Sequence, residues 1–270
     1  MQMPGHQVNG NSAAARRQKL HRDTTVDPEE VARFDRLGAE WWDPDGPMRA
    51  LHKFNPVRLA YLRELLGNHF LLDGKPRDWR SPVALQGLTI LDIGCGAGIL
   101  SEPLARLGAR MTAIDPARRN IEAAKDHAAK TNLAIDYRCV AAEELAAEGA
   151  VFDVVLVMEV VEHVRNVGRF LAEAAAMVRP GGMLAAATLN RTLKSFAFAI
   201  LGAEYVLHWV PRGTHNWTQF VAPRELAKAL RDAGLRPKAE TGIVYDPLAA
   251  KWRLSHDLDV NYIMAAIRPE

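Results

Sequence analysis

The chain has 270 residues, 49% of them apolar and 24% charged, with a formal net charge of +2. This balance suits one large globular domain with additions, and it is too nearly neutral to argue for a nucleic-acid partner. Two cysteines, Cys95 and Cys139, make neither a disulfide framework nor a zinc cluster, and no apolar run approaches the roughly 18 residues that span a bilayer.

The first 22 residues are polar and basic and contain no acid. Residues 1–24 are therefore expected to be a disordered tail, with an organellar targeting address as the alternative. From Asp27 the pattern turns helical: Asp27 is a suitable N-cap, Pro28 sits at the first helical position, and Val31, Phe34, Leu37 and Trp41 recur at helical spacing. The run Asp43-Pro44-Asp45-Gly46-Pro47 breaks that helix. Asn55-Pro56 is expected to cap a second one through Val57, Leu59, Leu62 and Leu66. Residues 25–80 thus read as an N-terminal helical cap, joined by a polar connection over 73–87 to a core over 81–270.

In that core strands and helices alternate. Strands are expected at 89–93, 110–114, 134–140, 152–158 and 183–189, and helices at 99–107, 117–131 and 166–178. The fold class is α/β, a doubly wound and mostly parallel sheet. A helix at 223–233 and strands at 236–246, 249–256 and 258–267 would close it as a reversed hairpin edge. Between them, residues 190–219 form an apolar, aromatic insertion flanked by Arg191, Lys194 and Arg212. It suits a helical cap over the active site, or a greasy entrance that touches a membrane.

The first strand of the core runs into Gly94-Cys95-Gly96-Ala97-Gly98. Glycines at a strand-to-helix turn let a ligand approach the backbone, and the helix start behind them favours an anionic group. A dinucleotide fingerprint would need glycine where Ile99 stands. With Asp92 ahead of it, the turn instead resembles motif I of the class I S-adenosylmethionine (SAM) methyltransferases, which have a Rossmann-like core. Asp115 ends the next strand, where an acid can take a ribose diol. Val178-Arg179-Pro180-Gly181-Gly182 precedes a later strand in the same style.

Narrower signals follow: Trp41-Trp42-Asp43, Asn55-Pro56-Val57-Arg58, Met158-Glu159-Val160-Val161-Glu162-His163, Thr188-Leu189-Asn190-Arg191, Gly202-Ala203-Glu204-Tyr205, Gly213-Thr214-His215 and Asp259-Val260-Asn261-Tyr262. From about residue 27 to 264 the chain resembles the ubiquinone biosynthesis O-methyltransferases. The resemblance implies SAM as cofactor and two O-methylations, one on a polyprenyl hydroxyphenol and one on a demethylated quinol. It places SAM contacts at Arg58, Gly94, Asp115 and Met158, to which the glycine turn adds Gly96. Arg58 would fork onto the methionine carboxylate, Asp115 would accept from the ribose, and Met158 would lie beside the adenine. One departure is visible: where relatives carry an acid after the third strand, this chain has Ala141. Expected partners are the polyprenyl acceptor, a membrane surface and a quinone-biosynthesis complex. The expected location is the cytoplasm, peripheral to the inner membrane, or the mitochondrial matrix if the leading residues are an address.

A catechol hydroxyl ionises near the phenol value of about 10, so at neutral pH it needs a base or a cation. Glu159, Glu162 and His163 stand at i, i+3 and i+4 after strand 152–158, a spacing that puts all three on one helix face at the carboxyl end of the sheet. They could ligate a divalent cation (Mg, Mn or Zn) that chelates the catechol, or His163 could act as general base with the glutamates shaping the site. An acidic helix start with a structural histidine is the third reading. Rival functions are a methyltransferase for another small phenol, a lipid-surface scaffold and a nicotinamide enzyme.

Overall fold

A computed structural model describes residues 24–197, 217–246, 249 and 251–270. All of the expected tail except Thr24, and most of the 190–219 insertion, lie outside the described residues. The N-terminal segment begins with α1 (Pro28–Asp35), capped as expected by Asp27, whose side chain accepts from the Glu29 N–H. A 3₁₀ turn (Gly38–Trp42) follows, and then α2 (Arg49–His69).

Asn55-Pro56 does not cap α2. The helix begins six residues earlier and runs through Pro56. A proline inside a helix costs about 3 kcal/mol, through one lost backbone hydrogen bond and a ring clash. Burial offsets it: Leu62 and Leu66 are fully enclosed against the sheet, and Asn55 donates Nδ2 to the Ile99 carbonyl at 3.0 Å. The would-be cap is a cross-link between helix and core.

The core strands are β1 (Thr89–Ile93), β2 (Arg110–Ile114), β3 (Asp136–Arg138), β4 (Phe152–Met158), β5 (Val178–Leu189), β6 (Arg236–Asp246), β7 (Lys251–Ser255) and β8 (Asn261–Ile267). Their spatial order is β3-β2-β1-β4-β5-β8-β6-β7. The first five are parallel, and β8 enters antiparallel between β5 and β6. Helices α3 (Ser101–Arg106), α4 (Arg118–Lys130), α5 (Ala142–Ala147), α6 (Val167–Ala176) and α7 (Pro223–Asp232) cover the two faces.

Both faces are apolar because both are covered. Along β4, Val155 and Val157 join the cluster under α6 and α7, while Val154 and Leu156 join the one under α2 and α3. Four strands differ from their expected bounds, β7 and β8 by starting two and three residues later. β3 keeps three residues, and β5 starts at Val178 because its register slips opposite Phe152–Val154 and absorbs the Pro-Gly-Gly turn. Among the described residues, no helix is long and apolar enough to cross a membrane. Strand order reverses between β1 and β4, and a crevice at the carboxyl ends of strands follows from that reversal.

Candidate active site

A cavity of about 820 Å³ fills that crevice. Arg58, Gly94, Asp115, Met158, Glu159, Glu162 and His163 all line it. Gly96 does not. A Cβ there would lie 2.6 Å from the Trp41 ring, and its backbone sits at φ +54°. Its N–H donates instead to Asp115 Oδ2 at 3.0 Å. Gly94, at φ +71°, has no room for a side chain because a Cβ would meet Val160 Cγ2 at 2.5 Å. The turn thus needs glycine for two different reasons, one toward β4 and one toward the N-terminal segment.

Trp41 and Trp42 clamp this turn. Trp41 Nε1 donates to Asn120 Oδ1 at 2.9 Å, and Asn120 in turn supports the Asp115 carboxylate. Trp42 Nε1 donates to the Ala97 carbonyl at 3.0 Å, with its ring stacked on His127 at 3.5 Å. Asp115 Oδ1 also accepts from the Ala117 N–H at 2.8 Å. Burial lifts Asp115 to about 6 against the pull of these donors, and burial likewise lifts Asp92, bonded by Ser101 at 2.6 Å, to about 6.

The N-terminal segment roofs the cavity. Thr25 is buried, and its N–H donates to Glu143 Oε1 at 2.6 Å; the Thr24 hydroxyl adds a second bond at 2.8 Å. Val26 pairs with Val164. Glu143, the first acid after the Ala141 departure, is therefore committed to the roof.

The far end of the cavity corrects the expected helix face. Glu159 sits at φ +57°, in the left-handed region where a non-glycine residue is strained. Only a short 3₁₀ turn (Val161–His163) follows. The three side chains go separate ways. Glu159 Oε1 accepts from Arg58 Nη2 at 2.6 Å and from Asn261 Nδ2 at 3.1 Å. Glu162, buried, accepts from the Thr188 hydroxyl at 2.8 Å. His163 Nδ1 lies 2.8 Å from Glu30 Oε2, off-line for a hydrogen bond, with Phe34 edge-on to the ring.

The expected metal set of Glu159, Glu162 and His163 is thus not assembled. Among the described residues no group of three His, Cys, Asp or Glu side chains is gathered to hold a metal ion. Burial and the neighbouring Glu159 charge raise Glu162 to about 7. Glu30 is held low, chiefly by His163. Desolvation lowers Arg58, against the pull of Glu159, Asp92 and Glu162. Two residues at this end, Glu30 and Asn261, escaped the sequence reading. Asn261 belongs to one of the segments that carry the resemblance, which is a usable signal, whereas Glu30 is an ordinary helix glutamate 133 positions from its partner.

The family described as methyltransferase domain matches residues 68–240. The ubiquinone biosynthesis O-methyltransferase of Methylocella silvestris is 63% identical over 90% of this chain and 95% of its own. The one from Parvibaculum lavamentivorans is 55% identical over 91% and 95%. Among solved structures, SAM-bound magnesium protoporphyrin IX methyltransferase from Synechocystis PCC 6803 superposes with a TM-score of 0.58 at 17% identity, covering 91% of this chain and 100% of that one. A SAM-dependent methyltransferase from Aquifex aeolicus gives 0.52 at 15%, covering 90% and 99%. These two likenesses establish the fold.

Two measurements test the geometry. Glu162 titrates near 7 when folded and near its ordinary value of about 4.3 when unfolded. A raised carboxyl contributes stability that is complete below the unfolded value and lost as pH rises through the folded one. The melting temperature should therefore fall between pH 5 and 8, and Glu162→Gln should flatten that fall and melt higher than wild type at pH 8. A variant with the wild-type slope contradicts the assignment. Trp41→Phe keeps the ring over Gly96 and removes one hydrogen bond, worth about 1 kcal/mol. Calorimetry should show SAM affinity reduced by about fivefold, with little further loss on adding Asn120→Ala; additive losses would mean that the two do not act through Asp115.

Proposed function

This chain belongs to the ubiquinone biosynthesis O-methyltransferases, and from that membership we propose that the cavity holds SAM beside a polyprenyl catechol and transfers the sulfonium methyl to a catechol oxygen. The observation that carries the reading is Arg58: it is buried, lines the cavity, and its Nε has no partner among the described residues although Nη2 is bound to Glu159. A guanidinium with one edge engaged and another edge free is a ready fork for the methionine carboxylate. Asn55 Oδ1 is likewise buried without a partner and can accept from the cofactor ammonium. Asp115 takes the ribose hydroxyls, and Met158, with Ala141 and Ala142 across the cavity, gives the adenine an apolar seat.

In the transfer the C–S bond breaks as the C–O bond forms, the electron pair returns to sulfur, and the hydroxyl proton has to leave. His163 receives it. Glu30 beside Nδ1 and Phe34 edge-on to the ring hold it in place. Glu159, fixed between Arg58 and Asn261, sets the acceptor ring against this base. A divalent cation would supply the same lowering of the hydroxyl pKa, but Glu159 would first have to leave Arg58 and His163 leave Glu30.

Leu193 and Phe196, in the described part of the insertion, are exposed, which supports a membrane-surface entrance for a greasy acceptor. Flotation with liposomes should weaken when both become serine, and a wild type that never floats would end the membrane reading.

The central test is turnover of a short-tailed demethylated quinol with SAM, read by mass of the product. His163→Ala should slow it by about 100-fold while calorimetric SAM affinity holds. Unchanged turnover would remove the base. Turnover that vanishes on exhaustive chelation and returns only with Mg, Mn or Zn would hand the role to a cation. Equal rates on unrelated small phenols would favour the broader acceptor class.

A further inference from the structure

The groups suited to SAM lie on one side of the cavity, at the ends of β1, β2 and β4 and on α2. The opposite side, built by β6 and β7 at the antiparallel edge of the sheet, carries none of them. A continuous row of aromatic rings runs from α2 onto this side. Arg58 Cζ stands 4.4 Å from the centre of the Phe54 ring. Phe54 is 5.7 Å from Trp252, centre to centre, and Trp252 is 5.3 Å from Tyr245. Tyr245 and Trp252 are direct cross-strand partners, so both rings stand on the same face of the hairpin. Ile243, 1% exposed, belongs to the apolar cluster against which Phe54 and Trp252 pack. Tyr245 and its neighbour Leu254 are each 36% exposed, so the row begins at the buried Arg58–Glu159 contact and ends at the surface.

We infer that Phe54, Trp252 and Tyr245 form the slot for the acceptor's hydrocarbon tail, with the catechol ring held at the Arg58–Glu159 end and the tail leaving past Tyr245. This rests on the reading of the cavity as a methylation site. SAM has no use for such a wall: its ends are charged or hydrogen-bonding, and the only apolar seat it needs is at Met158. A branched, unsaturated chain attached to the acceptor ring gains from every ring it passes, because aromatic faces supply apolar area at little entropic cost. A slot open at its outer end also places no upper limit on tail length. It reads only the first units and lets the remainder go to whatever apolar phase lies outside.

The test compares acceptors that differ only in the tail: a tail-less quinol, one with a single isoprene unit and one with several. In wild type, kcat/KM should rise with the first units and then level off. In Trp252→Ala the ratio between the long-tailed and tail-less acceptors should fall by about tenfold. Trp252→Phe should restore most of it, and Tyr245→Ser, at a half-exposed position that the fold tolerates, should reduce the gain at the outer end alone. SAM calorimetry on each variant checks that the fold is intact. Acceptor binding is measured separately by calorimetry on protein loaded with S-adenosylhomocysteine. A tail dependence that survives both Trp252→Ala and Tyr245→Ser overturns the slot, and a wild type indifferent to the tail overturns its occupant. Tail-dependent binding with no turnover on any catechol would overturn the methylation reading and leave the slot standing.

Discussion

The buried guanidinium of Arg58 faces more acid than it can neutralise. Asp92 and Glu162 are each below 10% exposed, and Glu159 is bonded directly to Arg58. Burying one cation among several carboxyls is expensive, and removing a single partner leaves a charge uncompensated. The protein answers by keeping Asp92 and Asp115 near 6 and Glu162 near 7, so part of the acid is held neutral at the cost of a site short of positive charge. In the proposed reaction SAM would bring a sulfonium and an ammonium to these acids, and its demethylated product has lost the sulfonium charge, so the same surroundings hold the cofactor more tightly than the product.

Much of the architecture depends on delivering Arg58 to that position. It rides on α2, whose route through Pro56 is tolerated only because Leu62 and Leu66 anchor the following turns and Asn55 ties the preceding one to the Ile99 carbonyl. The partner carboxylate sits at the end of β4 in a left-handed conformation that redirects the chain, and Asn261 comes from β8, the strand inserted antiparallel beside β5. Helix, parallel strand and antiparallel strand thus converge on one carboxylate. The tail slot starts from the same point, since Phe54 lies one helical turn before Arg58 and shares its face.

The sheet was legible in the sequence because its strands are short apolar runs set between glycine turns, and because the acids at 92 and 115 mark their carboxyl ends. β1, β2 and β4 fall at their expected bounds for that reason. Legibility failed where one local rule met a stronger tertiary demand. Asn55-Pro56 carries the composition of a helix start, yet packing on both sides keeps it inside a helix. The i, i+3, i+4 spacing of Glu159, Glu162 and His163 is a helical pattern, but Glu159 leaves the helical region and the spacing loses its meaning. Gly96 was read as facing the ligand, whereas its missing side chain makes room for Trp41, 55 positions away.

The N-terminal segment is the least legible part, since its contacts are long-range and carry no local pattern. Thr25 meets Glu143 and Glu30 meets His163 across more than a hundred residues. Its placement nevertheless constrains the chemistry proposed for the cavity. The same segment supplies the roof over the cavity, the tryptophans that hold the glycine turn, and the carboxylate beside His163. In the proposed reaction, a base aligned by its own roof is aligned only while that roof is in place, so excluding water and orienting the base would be one event.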